Sequence, residues 1–496
     1  MKKSVFLKNA FIMVISSFLL RFSGMWFRVF LAEKIGAIGM GTYQLIFSVF
    51  TMSISLATSG MFLLTVRLVS ECIGRNEKEK IRSTVSKCIR YGLFMSIIAS
   101  FLLFSLSPLI AKYILTDQKT EIPLKILAFG LPFMSSYACL KGYFVANRNT
   151  FHSSVSEILE QFITVFIPYI FLLSSPSLEK SLIAIMIGSS FGEVSSFLYM
   201  FIAYKISVHK KKLQKEKSER IIRKILHICV PGTISSTAKN LLSTIENILL
   251  PFSLRKSGDS ASLSLERYGV LHGMSYPTLL FPSAILFPFS SLLVPEIARA
   301  NAQKDKDAVF YYISFSLKFS LCFSIPLAFL FFKYAPDLSF SLYNNAEAGD
   351  YMRILAPLIP LLYTDFAVDG ILKGLDEQIA SCKCNVTDGI MRISLIFLLV
   401  PKFKITGYVF VLFISCIFNA FLSLLHLLKV SEFKFPIGEF VLIPIFFSVF
   451  SIFIAEIFPL SYIPKIIISV STYIFFTVFK ETLKKTEEKS LPSFLY

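Results

Sequence analysis

Charged side chains are rare inside the long apolar runs of this chain, and the few that occur there are spaced as on helices. Arg21 and Arg28 are two turns apart in the run 9–31, so both guanidinium groups leave one helix face, with Gly24 and Met25 between them. At bilayer depth each such charge costs at least roughly 2.5–3.5 kcal/mol, which marks these positions for function. Two stacked arginines suit a multiply charged anion, because each guanidinium can give paired hydrogen bonds to phosphate. The structural alternative has Arg28 reaching the outer interface and Arg21 neutralised by a carboxylate such as Glu246. Lys239 and Glu246 repeat the same spacing in the run 225–250. Either they neutralise neighbours, or Lys239 adds positive charge to a cavity and Glu246 serves as a charge relay. Asp365 and Asp369 lie one turn apart in the run 352–372, with Lys373 a turn further on. Two carboxylates on one face can bind a coupling cation or carry protons; pairing with Lys373 is the equally open alternative.

The remaining polar groups are read more plainly. Glu157, Glu160 and Glu193 fall in or near the fifth and sixth runs, and Asp388 and Arg392 are spaced to satisfy each other at i,i+4. His152, His272 and His426 lack ligand-spaced companions and are expected to be hydrogen-bonded helix histidines. The eight cysteines are scattered, and Cys382 with Cys384 has no CxxC or His companion, so no zinc site or disulfide framework is expected. No phosphate loop, HExxH or GxSxG motif is present. No cofactor and no catalytic site are therefore expected. Energy for uphill transport would have to come from an ion gradient, the membrane potential or consumption of the product.

These residues need helices that cross a membrane. The chain is 54% hydrophobic and 17% charged, where a soluble domain averages roughly 25% charged, and apolar runs long enough to cross a core of roughly 30 Å recur end to end. Fourteen spans are predicted: 9–31, 43–69, 88–106, 124–146, 155–173, 182–204, 225–250, 268–294, 309–332, 352–372, 385–400, 406–428, 437–456 and 461–480. The fold class is thus an all-α polytopic membrane protein. The N-terminal run holds Arg21 and Arg28 and no small-residue cleavage site, so it is read as a retained helix. The net charge of +18 is concentrated in alternate loops, a positive-inside pattern that places both termini in the cytoplasm and argues against nucleic-acid binding. Proline is dense over 277–288, which predicts a bent eighth span.

A basic linker, 205–224, separates a first lobe (1–204) from a second (225–428), followed by a helix pair and basic tail (429–496). A weak repeat supports the division. Tyr43 and Glu71 match Tyr268 and Glu296 at one offset, and Leu140-Lys141-Gly142 matches Leu372-Lys373-Gly374. Halves six spans apart share an orientation, so a pseudo-two-fold along the membrane normal should relate them, with substrate held between them.

Leu20-Arg21-Phe22-Ser23-Gly24-Met25-Trp26-Phe27-Arg28 and Gly36 to Tyr43 resemble the opening of bacterial polysaccharide and lipid-linked oligosaccharide exporters. So do Arg67 to Glu71, Lys141 to Phe144 with Glu157 and Glu160, and Tyr268 to Met274 followed by Phe281-Pro282. The nearest branch in pattern is the stage V sporulation protein B-like flippases, akin to lipid II flippases. The resemblance implies two six-helix lobes around a central cavity and an extra helix pair that helps form a lipid-tail groove. It also implies contacts from Arg21, Arg28 and Arg67 to the diphosphate of a polyprenyl-linked sugar. Arg67 lies beside Glu71 near a cytoplasmic end, which also suits a gate or topology residue. The expected partners are that lipid-linked glycan, membrane lipids and cell-wall synthesis enzymes, and the expected location is the bacterial cytoplasmic membrane. A cation-coupled drug exporter of the same fold and a membrane glycan polymerase or ligase are the competing readings. The tandem arginines speak against the first; the short external loops 251–267 and 333–351 speak against the second.

Overall fold

The computed structural model describes residues 3–490 except 59, 76, 148, 175, 209–217 and 434. Side chains are described in these residues outside 3–14, 78, 218–236, 287–292, 481 and 483–490. The middle of the basic linker and the lysine side chains at both termini therefore lie outside the described residues. Among the described residues every regular element is helical. The chain begins with α1 (Lys3–Thr58), α2 (Met61–Gly74), α3 (Ile81–Leu109), α4 (Glu121–Ala146), α5 (Thr150–Leu172) and α6 (Leu178–Val208). It continues with α7 (Ser218–Lys256), α8 (Ala261–Tyr268), α9 (Tyr276–Leu280), α10 (Leu286–Ala302) and α11 (Lys306–Tyr343). The last elements are α12 (Ala346–Leu355), α13 (Ile359–Gly374), α14 (Gln378–Ser431), α15 (Ile443–Ile457) and α16 (Tyr462–Ser490).

Among the described residues ten continuous helical stretches are long and apolar enough to cross a membrane, fewer than the fourteen spans expected. The difference lies in continuity. Ile15–Gly74 runs for 60 residues and Gln378–Ser431 for 54. At 1.5 Å per residue these are about 90 and 80 Å long, too long for one crossing of a roughly 30 Å core. Each is broken: α1 at Gly36 (φ 65°, ψ −179°) and α14 at Lys404 (φ 53°, ψ −135°). Dividing both there gives twelve. The other two expected spans are 225–250, inside the 39-residue α7, and 268–294. The latter is divided into the end of α8, a π-helical turn over Gly269–Ser275, α9, a 3-10 turn over Phe281–Ala284, and α10. Pro277 and Pro282 stand in the first turns of α9 and of the 3-10 segment, where a missing N–H costs no helical hydrogen bond. The chain is a multi-pass, all-α membrane protein.

By compactness the chain divides into a unit of residues 1–274 with 389–411 and a unit of 275–388 with 412–496. Within the first, α1 crosses α8 so closely that a Cβ on Gly41 would stand 2.2 Å from the Leu265 carbonyl oxygen, and one on Gly269 2.0 Å from that of Ala37. Only glycine permits that crossing.

The repeated Leu-Lys-Gly motif has the same packing role in both units. A Cβ on Gly142 would meet the Phe62 carbonyl oxygen at 2.8 Å and Thr65 Cβ at 2.9 Å, so α4 lies tight against α2. A Cβ on Gly374 would meet Ile297 Cβ at 2.8 Å and the Val294 carbonyl oxygen at 3.2 Å, so α13 lies tight against α10. Small residues let helix backbones approach where lipid supplies no hydrophobic drive.

Candidate anion-binding site and its supporting charge network

The stretch of α1 that carries the arginine pair makes aromatic and polar contacts with α5. Trp26 stacks on Phe30 with ring centroids 5.8 Å apart, and Tyr169 of α5 packs on both at 6.0 and 5.2 Å. Gln161 of α5 donates a long 3.5 Å hydrogen bond to Ser23. The other half of α1 is tied to α7, where Thr244 donates to the Ser48 carbonyl (3.0 Å) and Asn247 to the Ser48 hydroxyl (3.1 Å).

Within that frame Arg21 is exposed and Arg28 half-buried. The space around Gly24, between them on the helix face, is open to 4 Å. Nη1 of Arg28 is shielded from solvent and meets no hydrogen-bond partner among the described residues. Tyr43, on the far side of the Gly36 break, lies within electrostatic range of this guanidinium. Its neighbour Gln44 has a shielded Oε1 that is likewise without a partner among the described residues. A buried guanidinium N–H left unpaired costs on the order of 1–3 kcal/mol, so the arrangement favours an additional acceptor there.

Lys239 is exposed on α7 and forms no ion pair among the described residues. Glu246, two turns on, is 5% exposed. It is engaged by Arg392 of α14, whose Nη1 stands 3.1 Å from Oε2, and by the Tyr408 hydroxyl at 2.9 Å. Tyr408 in turn meets His272 Nε2 at 3.0 Å. Arg67 is exposed and stands 3.5 Å from Glu71. In the other unit Asp365 accepts from Ser423 at 3.2 Å, while Asp369 accepts from Lys373 and Ser381, both at 2.5 Å.

Asp388 and Arg392 also make contacts beyond their own helical turn. Asp388 accepts from Ser415 at 2.6 Å, whereas Arg392 reaches a carboxylate 146 residues away. Tyr408 and Gln44 carried no signal in the sequence, since an uncharged residue in an apolar run has no obvious partner. The three histidines are hydrogen-bonded as expected: His152 to Tyr199 (3.0 Å), His272 to Tyr408, and His426 to Glu377 (3.2 Å). Lys141 pairs with Glu157. Among the described residues no group of three or more His, Cys, Asp or Glu is placed to hold a metal.

The whole arrangement has relatives. Stage V sporulation protein B of Bacillus subtilis (strain 168) is 26% identical over 458 residues, 89% of this chain and 87% of that protein. The lipid II flippase MurJ of the same organism is 22% identical over 180 residues, 35% of this chain and 32% of its own. Among solved structures, the lipid II flippase MurJ in an inward closed conformation superposes with a TM-score of 0.71 at 18% identity, covering 95% of this chain and 98% of that one. An inward-facing multidrug resistance MATE family transporter of the MOP superfamily gives 0.66 at 13% identity, covering 84% and 95%. The fold is therefore that of these transporters. The model of the family described as "Polysaccharide biosynthesis protein" matches residues 6–300, more than half of the sequence, and the chain belongs to that family.

Proposed function

We propose that this protein is a flippase, and not an enzyme, that moves a polyprenyl-diphosphate-linked sugar from the cytoplasmic to the outer leaflet of a bacterial cell membrane. Lipid II and other cell-envelope glycan precursors share the required chemistry, a diphosphate between a sugar and a prenyl chain. The observation that carries the reading is Arg28: a guanidinium with a shielded N–H that has no partner among the described residues, beside open helix surface, one face shared with Arg21. Its unmet donor suits a diphosphate oxygen, and a basic site offsets the lost hydration that blocks unassisted crossing of the headgroup. Lys239 adds positive charge, and Arg67 acts at the cytoplasmic end, where both termini also lie. The segments 1–204 and 225–428 move as lobes about the linker 205–224, exposing the headgroup alternately to the two sides. Glu246, Asp365 and Asp369 are the groups through which an ion gradient acts. The likeness to stage V sporulation protein B and to MurJ supports the same assignment.

The test is headgroup accessibility of a defined polyprenyl-diphosphate sugar in proteoliposomes. Wild type should expose it on the far side, and Arg28→Ala and Arg21→Ala should slow exposure tenfold or more, on the order of one lost charge-assisted contact. Unchanged translocation in both variants removes the reading. Export of cationic drugs that survives both substitutions replaces it with a drug exporter.

A further inference from the structure

In the first unit, α8 and the break in α14 meet at a single buried carboxylate. Asp259, in the turn between α7 and α8, has a side chain 1% exposed and two cations on it. Arg267 Nη1 stands 2.5 Å from Oδ2, and Lys404 Nζ, at the break in α14, 2.8 Å from Oδ1. Arg255, one turn before Asp259, donates to the Thr116 hydroxyl in the turn that follows α3. Glu266, the neighbouring acid on α8, forms no ion pair among the described residues.

Two cations thus share one carboxylate, with Arg255 one turn away on Thr116, and the carboxylate is the buried member. Lys404 and Arg267 keep 46% and 25% of their side chains exposed, and each has N–H donors beyond the one on Asp259. Two of the cluster's residues, Thr116 (φ 55°) and Lys404 (φ 53°), also hold left-handed backbone. That conformation is unfavourable for a non-glycine residue, most of all a β-branched one. The fold therefore maintains both residues in it while presenting excess positive charge here.

We propose that Arg267 and Lys404, organised by Asp259, together with Arg255 one turn away, form a second oxyanion site that takes a phosphate ester at the turn between α7 and α8. The ligand is the diphosphate of the flipped substrate or the phosphate of a surrounding lipid. The first source rests on the flippase reading; the site itself does not.

The test uses the purified full-length protein in nanodiscs of a zwitterionic lipid, titrated with inorganic pyrophosphate and, separately, with a polyprenyl diphosphate. Arg28→Ala should leave a pyrophosphate-binding phase that Lys404→Gln and Arg267→Gln each weaken about tenfold. Asp259→Asn separates the site from a structural clip. It lowers Tm under either account, but only an oxyanion site binds pyrophosphate more tightly once the competing carboxylate is neutral. Equal pyrophosphate binding in wild type and Lys404→Gln, with only Tm changed, overturns the proposal while leaving the Arg28 reading intact. Pyrophosphate binding that depends on Lys404 with no response to a polyprenyl diphosphate keeps the site and excludes the flipped substrate. Competition by nanodiscs containing phosphatidylglycerol then identifies the lipid phosphate as the occupant.

Discussion

The first helix and the last helix pair both place charge in helices with large exposed apolar surfaces, and they handle it in opposite ways. At the C-terminal pair every described carboxylate is answered. Glu439, one turn before α15, meets Lys318 of α11 at 3.0 Å. Glu456, near the other end of α15, meets Lys465 of α16 at 2.7 Å, Lys333 at 3.7 Å and the Tyr334 hydroxyl at 3.0 Å. The Tyr473 hydroxyl adds a 2.8 Å bond to the Cys322 carbonyl. These contacts fasten α15 and α16 to α11 at both ends. On α1, by contrast, Arg28 has a shielded N–H that no described group answers. Paired charges fix a helix in place; a donor left unanswered among the described residues is where the proposed diphosphate would bind.

Substitutions can break this comparison. The largest expected effect is functional: Arg28→Met should cut headgroup translocation and polyprenyl-diphosphate binding tenfold to a hundredfold, about 1.5–3 kcal/mol of charge-assisted bonding. The same variant should leave Tm unchanged or raise it, because it removes an unmet polar group. A fall in Tm would mean that Arg28 has a structural partner. Next comes Glu246→Gln, which removes the charge that Arg392 and Tyr408 engage. It should destabilise the protein by about 3 kcal/mol, read as a lower denaturation midpoint in detergent, with Glu246→Leu combined with Arg392→Met recovering much of the loss. Glu439→Gln should cost less, about 1 kcal/mol, because that pair is roughly a third exposed. Its loss should appear as faster proteolysis of the final helix pair, with translocation retained. Gly142→Ala and Gly374→Ala should each cost about 1–3 kcal/mol by overpacking a close crossing. Unequal penalties would argue against a shared packing role for the repeat. Arg67→Ala should be smallest for stability, within about 0.5 kcal/mol, since its pair with Glu71 is exposed.

Much of this was legible without coordinates. The apolar runs, the basic loops and the matched Leu-Lys-Gly motifs are local or periodic signals, and they carried the fold class. The Arg21–Arg28 spacing is equally local, because one helix sets it. Glu246 was visible as a buried charge, but its partners were not. Arg392 lies on a helix far along the chain, 146 residues from Glu246. Nothing local singles out Asp259, because Arg267 and Lys404 converge on it only through the α7–α8 turn and the break in α14.

The sequence by itself determined that this chain lives in a membrane, that it crosses many times, and which few charges the bilayer has to tolerate. Those properties follow from the cost of placing polar groups in hydrocarbon, which each segment meets alone. The tertiary structure alone decided which of the charges are answered. Pairing depends on helices distant in sequence meeting at matching heights, as α7 and α14 do around Glu246, and no local spacing records that. On α1 the same packing brings Tyr169 against Trp26 and Phe30, yet sets no carboxylate on the Nη1 of Arg28 among the described residues.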